Sequence, residues 1–316
     1  MGLCLVKTID VLLAVYNGER YLPPLLQSLA AQDDAAFAVL MQDDGSTDGS
    51  PALLAAMASR DSRFRPAGEN GRHLGAKGNF ISLIRQARGD YAALCDQDDA
   101  WAPNRLSRCR QALEQAEARW GADTPLLVHS DCQLVDAEGR LLQESFFRHQ
   151  GWDPAAVTLP RLMVQNNVTG CTLMMNAALR RLVAEHADPA AMHMHDWFIA
   201  LTAAAFGHII FLDEPLVRYR QHGVNVMGAS RQTLIQRGVK ALGAWQKGKA
   251  RIALTYRHTR AFRDAYGALL PQEAAAVIDR YLATEAMGKI RRVTAVRRGG
   301  YTMQSQITRA GQLIFG

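Results

Sequence analysis

Three carboxylates within four residues, Asp96-Gln97-Asp98-Asp99, are the densest chemical signal in the chain. At that spacing they repel one another unless a cation or hydrogen-bond donors compensate, and a hard divalent cation takes oxygen ligands of this kind. A metal that also reaches phosphate oxygens is the natural occupant; a solvated acidic turn is the plain alternative. A second acidic stretch, Asp43-Asp44-Gly45-Ser46, taken alone has the composition of an ordinary turn. His193, His195 and Asp196 have the residue types of a zinc cluster, but histidine-rich loops are mostly solvated and zinc is disfavoured there. His222, between Arg218-Tyr219-Arg220-Gln221 and Gly223, reads in isolation as a loop or core histidine. Gly71, Gly75 and Gly78 around Lys77 suggest a phosphate cradle, yet they do not match the P-loop, and no GxGxxG follows the first strand, which disfavours a nicotinamide dehydrogenase.

Such residues act together only if strands and helices carry them to one place. Ile9 to Val15 reads as a buried strand ended by Tyr16-Asn17-Gly18, and Leu22, Leu25, Leu26 and Leu29 then recur at helical spacing behind Pro23. Phe37 to Met41 is the second strand, running into Asp43-Asp44, and Ser50 is placed to cap a helix over about 51–59. A helix over Asn79 to Arg88 precedes a strand at Tyr91 to Cys95, which stops at the Asp96 to Asp99 cluster. Beyond a helix around 104–120, the pattern predicts strands at Leu126 to Asp131, Cys171 to Met175 and Ile209 to Leu212. It also predicts a hairpin at Gln133 to Leu142 and helices at Ala177 to His186 and Trp197 to Phe206; residues 143–170 carry no clear period. From Arg231 onward three helices are expected, over about 232–244, 250–269 and 272–293. This alternation argues for an α/β fold, a mostly parallel sheet covered on both faces, with ligands beyond the carboxyl ends of its strands. Tyr16-Asn17, Asp43-Asp44 and Asp96 to Asp99 should therefore meet in one crevice.

The 316 residues are 48% hydrophobic and 21% charged, the balance of a globular protein, which excludes disordered, collagen-like and coiled-coil classes. The apolar run Phe198 to Phe206 is far short of the roughly 20 residues a membrane span needs, and no signal-peptide pattern opens the sequence. Five cysteines without CxxC spacing argue against a disulfide framework or a thiolate zinc site and fit a reducing cytoplasm. The net charge of +6 is unevenly spread: residues 229–316 hold 16 Lys and Arg against four acids, while the rest of the chain is net acidic. A basic tail of this kind suits a solvated face, a nucleic-acid patch or a surface drawn to anionic lipid.

Taken together, VLLAVYNGERYLPPLLQSLAAQ, QDDGSTDGS, GAKGNF, CDQDDAW, HDW and RYRQHGVNVMG resemble the inverting nucleotide-sugar glycosyltransferases of family 2. The likeness runs from about Ile9 to Gly228, and the DQDD-W, HDW and YRQH combination is most similar to the bacterial dTDP-rhamnosyltransferase branch. It implies a GT-A fold over residues 1–228, with a nucleotide-sugar half of about 1–125 and an acceptor half of about 126–228. Residues 229–316 are then a basic helical extension. By this resemblance Val15, Tyr16, Asn17 and Asp43 or Asp44 hold the nucleoside, Lys77 contacts base or diphosphate, and Asp96 with Gln97 faces the ribose or sugar. Asp98 and His222 would bind Mg²⁺ or Mn²⁺, Asp196 would be the catalytic base, and Trp101, His195 and Trp197 would flank the acceptor. Many relatives carry Glu-Asp where this chain has His195-Asp196. The implied donor is dTDP-L-rhamnose, or another dTDP- or UDP-linked sugar, and the implied acceptor a glycan, lipid-linked at the inner face of the plasma membrane in surface polysaccharide synthesis. The competing readings are a nucleotidyltransferase, which would want a glycine-rich basic loop after the first strand, and a nucleic-acid-binding module built on the tail. The tail shows no recognised nucleic-acid-binding motif, so no nucleic-acid partner is expected.

Overall fold

The computed structural model describes residues 6–68, 73–221, 241–305, 308, 309 and 312, with only the helical backbone described for 241–247. The chain opens with β1 (Ile9–Val15), α1 (Leu22–Ala30), β2 (Phe37–Asp43), α2 (Ser50–Arg60), β3 (Phe64–Pro66), α3 (Gly75–Gln86) and β4 (Tyr91–Asp96). It continues through β5 (Ala100–Trp101), α4 (Arg105–Trp120), β6 (Leu126–Val135), β7 (Leu141–Gln143), α5 (Phe146–Gln150) and α6 (Leu159–Val164). A 3-10 turn at Gly170–Thr172 leads into β8 (Leu173–Asn176), α7 (Ala177–His186), α8 (His195–Phe206) and β9 (His208–Arg220). The described chain ends with α9 (Ala241–Tyr266), α10 (Gln272–Ala283) and α11 (Lys289–Arg298).

One sheet holds the nine described strands in the order β3-β2-β1-β4-β8-β6-β9-β5, with β7 paired to β6. β3, β2, β1 and β4 run parallel, β8 is antiparallel to both β4 and β6, and β6 runs parallel to β9. Because the chain winds outward from β1 to β3 and then returns to β4 on the other side of β1, a crevice opens at their carboxyl ends. Register sets its edge: Val15 faces Asp43 and Ala14 faces Asp96.

Strand alternation divides the core between the two faces. Ile9, Val11, Leu13 and Val15 pack with the Leu22, Leu25, Leu26 and Leu29 stripe of α1 and with Leu106 and Leu113 of α4. Leu12 points to the other face, where α3, α6, α7 and α8 pack. Tyr256, Phe262 and Tyr266 of α9 and Ile278 and Tyr281 of α10 join that second cluster. No described helix is long and apolar enough to cross a membrane. Cys95, Cys109, Cys132 and Cys171 are buried free thiols.

Several edges differ from the sequence pattern for identifiable reasons. Ser50 is the first residue of α2 rather than its cap; its hydroxyl instead accepts the Gly18 N–H at 2.9 Å and ties two loops together. α3 begins four residues before Asn79 because the Asp44 carboxylate takes the Leu74 and Gly75 N–H groups at 2.6 and 2.8 Å. β9 runs 13 residues through the polar Asp213-Glu214-Pro215 stretch, which it accommodates by register shifts around Asp131. The single helix expected over 272–293 is broken by a 3-10 turn at Thr284–Ala286, where the buried Thr284 hydroxyl donates back to the Tyr281 carbonyl at 2.6 Å. Residues 232–240 of the first expected tail helix lie outside the described residues.

Candidate active site

The loops after β1 and β2 are laced into one rim. The Val15 carbonyl accepts the Asp44 N–H at 2.8 Å, Asn17 N donates to Ser46 Oγ at 2.8 Å, and Thr47 N donates to Asn17 Oδ1 at 2.8 Å. Asn17 adopts φ 48°, a left-handed geometry that asparagine tolerates better than most residues. The loop after β4 joins the same rim. Gln97 clamps Tyr16, accepting its N–H on Oε1 at 2.6 Å and donating from Nε2 to its carbonyl at 2.8 Å. Tyr16 itself is exposed and lies against the His73 ring, centroids 4.8 Å apart. Asp43 takes the Gly45 and Ser46 N–H groups on Oδ2 at 3.1 and 3.0 Å, while its buried Oδ1 has no hydrogen-bond partner. Of the expected nucleoside-side residues, Val15, Tyr16, Asn17, Asp43, Asp44, Asp96 and Gln97 thus meet at adjoining strand ends. Lys77 sits apart from that contact set, its Nζ donating to the Met192 carbonyl at 2.8 Å and joining α3 to the loop before α8.

Beneath the rim lies the acidic cluster. Burial, then Asp98 and Asp196, push the Asp96 carboxyl up to about 7, with Arg105 pulling it back. Asp99, fully buried, is raised well above the ordinary range by burial and by Asp98 and Asp96; its Oδ1 accepts the Arg220 N–H at 3.2 Å and its buried Oδ2 has no hydrogen-bond partner. Ligand atoms of Asp96, Asp99 and Cys171 lie within 4.8 Å of one another. Asp98 belongs to the same loop, its carbonyl accepting from Arg220 Nε at 2.8 Å. A cluster of carboxylates with an orphaned buried oxygen suits a hard divalent cation. His222, the second ligand expected from the sequence, lies outside the described residues.

Asp196 enters from the opposite half, in the first turn of α8. Burial is the largest influence on its carboxyl, pushing it up to about 6 against hydrogen bonds from Trp197, Gly170 and Asn166. Its influence on Asp96 places the two in one electrostatic neighbourhood. The residues expected beside the acceptor hold packing positions: His195 is 5% exposed and stacks on Phe80 with centroids 4.3 Å apart, and burial pushes its imidazole down to about 3, so it is neutral. Trp197 is buried with its indole N–H on the Leu162 carbonyl, and Trp101 is buried beneath the Arg105 guanidinium, 3.4 Å from the ring centroid.

Four contributors escaped the sequence reading. Asp99 stood inside the quartet without an assigned part, Arg105 had no mark beyond helical spacing, and Asn166 and Gly170 fall in the stretch without periodicity.

Residues 10–122 match the family model described as Glycosyl transferase family 2, which spans β1 through α4 and includes the Asp96 to Asp99 loop. Over these residues the chain is therefore similar to a family 2 glycosyltransferase domain. An uncharacterised protein of Mycobacterium tuberculosis is 28% identical over 66% of this chain, which spans 57% of that relative's length. A dTDP-rhamnosyl transferase, RfbG, of Shigella flexneri is 24% identical over 69% of this chain and 74% of its own. Among solved structures, TarS residues 1–349 of S. aureus, in complex with UDP, superposes with a TM-score of 0.59 at 16% identity, over 98% of this chain and 88% of that one. The fold is GT-A-like.

Proposed function

We propose that this chain is an inverting glycosyltransferase that moves a sugar from a nucleoside diphosphate onto a glycan hydroxyl in bacterial polysaccharide synthesis. The observation that carries the reading is the placement of Asp43, Asp44 and Asp96 to Asp99 on adjoining strand ends, with Asp196 presented by α8 from the other half of the fold. The rim of Tyr16, Asn17 and Asp43 receives the nucleoside, the Asp43 carboxylate accepting a base N–H. Asp196, the base, takes the acceptor hydroxyl proton as that oxygen bonds to the anomeric carbon, while the carbon–oxygen bond to the diphosphate breaks and its electron pair leaves on the nucleoside diphosphate. Single displacement inverts the centre. Asp96, Asp98 and Asp99 would hold the divalent ion, with His222 completing the set; Mg²⁺ or Mn²⁺ there supplies Lewis-acid neutralisation of the leaving diphosphate.

The similarity to the Shigella dTDP-rhamnosyl transferase and the HDW motif favour dTDP-L-rhamnose as donor. The acceptor is a lipid-linked glycan, reached from the cytoplasmic face. α11 suits that approach: Lys289, Arg291, Arg297 and Arg298 are exposed and make no ion pair among the described residues, and Ile290 between them is 85% exposed. By contrast Arg260 and Arg263 of α9 are paired with Glu285 and Asp279.

The test is a donor panel of dTDP-L-rhamnose, UDP-glucose, UDP-galactose, UDP-N-acetylglucosamine and GDP-mannose, assayed for nucleoside diphosphate release with and without Mg²⁺ or Mn²⁺. Metal-dependent release from dTDP-L-rhamnose above the others is expected. Release from none of the five overturns the reading, and preference for another sugar overturns the rhamnose assignment alone.

A further inference from the structure

The approach to Asp196 is gripped at a single peptide bond. Lys77 Nζ donates to the Met192 carbonyl at 2.8 Å, and the next N–H along the chain, that of His193, donates to His258 Nδ1 at 3.3 Å. Carbonyl and N–H belong to one planar unit, the Met192–His193 peptide, so α3 holds its oxygen while α9 of the tail holds its hydrogen. A cation on the carbonyl polarises the unit and makes its N–H a better donor. To accept there, the His258 ring must be neutral with its proton on Nε2. That ring is 1% exposed and lies against Trp197, centroids 4.6 Å apart.

Both grips reach out from fixed ground. Asp44, on the nucleoside rim, takes the Leu74 and Gly75 N–H groups at the start of α3, and Lys77 follows in the first turn. α9 is seated on α8 through Phe262 against Phe198 and the Tyr266 hydroxyl at Thr202. Asp196 comes three residues after His193, and the carbonyl of the intervening Met194 accepts the Phe198 N–H at 3.1 Å to open the helix. A turn of the gripped peptide is thus passed directly into the first turn of α8.

We propose that Lys77 and His258 are positioning residues that act as one latch: by holding the Met192–His193 peptide from both ends they fix the start of α8, and with it the direction in which Asp196 meets the acceptor hydroxyl. The inference rests on the reading of Asp196 as the base. It also gives Lys77 a different part from that of a phosphate ligand, and the two parts separate by measurement, since a phosphate ligand acts on donor binding and a latch on the chemical step.

The experiment compares wild type with Lys77→Met, His258→Phe, His258→Asn, the double variant of Lys77→Met and His258→Phe, and Asp196→Asn. Methionine keeps an unbranched chain without the charge; phenylalanine keeps a ring against Trp197 but no acceptor; asparagine restores an acceptor near the place of Nδ1. Nucleoside diphosphate release is followed with water as acceptor, from whichever nucleotide sugar of the panel is active. UDP and dTDP affinity is read by calorimetry, and amide hydrogen exchange over residues 188–198 by mass spectrometry. Lys77→Met and His258→Phe should each lose about tenfold or more in kcat, with donor KM and nucleotide affinity within about twofold and faster exchange over that segment. His258→Asn should regain part of the loss. Because both side chains hold one peptide, the double variant should fall little below the worse single variant. A Lys77→Met protein that loses nucleotide affinity at unchanged kcat makes Lys77 a donor ligand and overturns the latch, as does multiplication of the two losses in the double variant. Unchanged exchange in both single variants refutes it whatever the turnover. If His258→Phe does not fold, Lys77→Met decides alone by the same split of kcat from affinity. Wild-type turnover in Asp196→Asn overturns the base reading and the inference with it, so the two failures are read from different variants.

Discussion

Asp196→Asn should make the protein more stable while removing its activity, and the size of the effect follows from the site. Burial lifts the Asp196 carboxyl from 3.8 to about 6 in the folded chain. Between those two values the unfolded chain is ionised while the folded one still holds the proton, so the folded state binds more protons and stability falls as pH rises through the window. The contribution is fully present below about 3.8 and lost above about 6. At about 1.4 kcal/mol per pKa unit, the gap of roughly two units amounts to about 3 kcal/mol of destabilisation at pH 8. Asparagine keeps an acceptor for the Trp197 N–H and carries no charge to desolvate. With an unfolding entropy of about 2 cal/mol/K per residue, that difference corresponds to a Tm rise of roughly 5 °C at pH 8, shrinking toward zero near pH 4. Differential scanning fluorimetry of both proteins from pH 4 to 8, in EDTA so that no metal biases either, reads the curve directly. A variant no more stable than wild type at pH 8, or a difference that does not change with pH, would show that the carboxylate is not held at a desolvation disadvantage.

Other outcomes follow from single contacts. Gly18→Ala places a Cβ 2.6 Å from Gln97 Oε1, which must leave Tyr16; nucleotide affinity by calorimetry should fall about tenfold, the loss of roughly one or two hydrogen bonds, and unchanged affinity would argue against the rim as the nucleoside seat. Asp98→Asn should abolish metal-dependent diphosphate release, and full turnover in that variant without added Mg²⁺ or Mn²⁺ would remove Asp98 from the metal set. Phe262→Ala, at a fully buried ring that meets Phe198 edge-on at 5.5 Å, should destabilise by about 3–5 kcal/mol in urea titrations. Reversing Lys289, Arg291, Arg297 and Arg298 to Glu should leave Tm unchanged but abolish low-salt co-sedimentation with anionic vesicles; retained sedimentation would place the membrane contact elsewhere.

Much of the region from β1 through α4 was legible because its elements are local and strongly patterned. β1 and α7 end where the apolar runs and caps say they should, and an acidic cluster behind an uninterrupted buried strand already pointed to a ligand crevice. What the pattern could not carry was tertiary. Asn166 and Gly170 lie among short helices of five and six residues, too brief to show a period, and matter only because β8 and α8 bring them beside Asp196. β9 concealed its length because bulges let polar residues continue a strand whose alternation is broken. Lys77 has the composition of a phosphate ligand, but its ammonium rests on a carbonyl 115 positions further along the chain, a pairing no local spacing encodes.

The basic tail is better understood as two surfaces than as one extension. Its net charge suggested a solvated or membrane-facing segment, yet the inner faces of α9 and α10 are aromatic and buried: Phe262 and Tyr266 pack on Phe198 of α8, and the Tyr266 hydroxyl meets Thr202 at 2.9 Å. His258 of α9 lies against Trp197, the residue after Asp196, and accepts the His193 N–H at 3.3 Å on Nδ1. Burial pushes the His258 imidazole down to about 3, so it acts there as a neutral acceptor rather than a charge. The helix bearing Asp196 is thus backed by the tail, and its first turn cannot move without disturbing α9. Charge and packing divide along the sequence, with the cations of α9 spent partly on pairs to Glu285 and Asp279 and those of α11 left outward. If α11 docks on anionic lipid as proposed, the packing of α9 on α8 means that docking would also orient the Asp196 side of the crevice relative to the membrane.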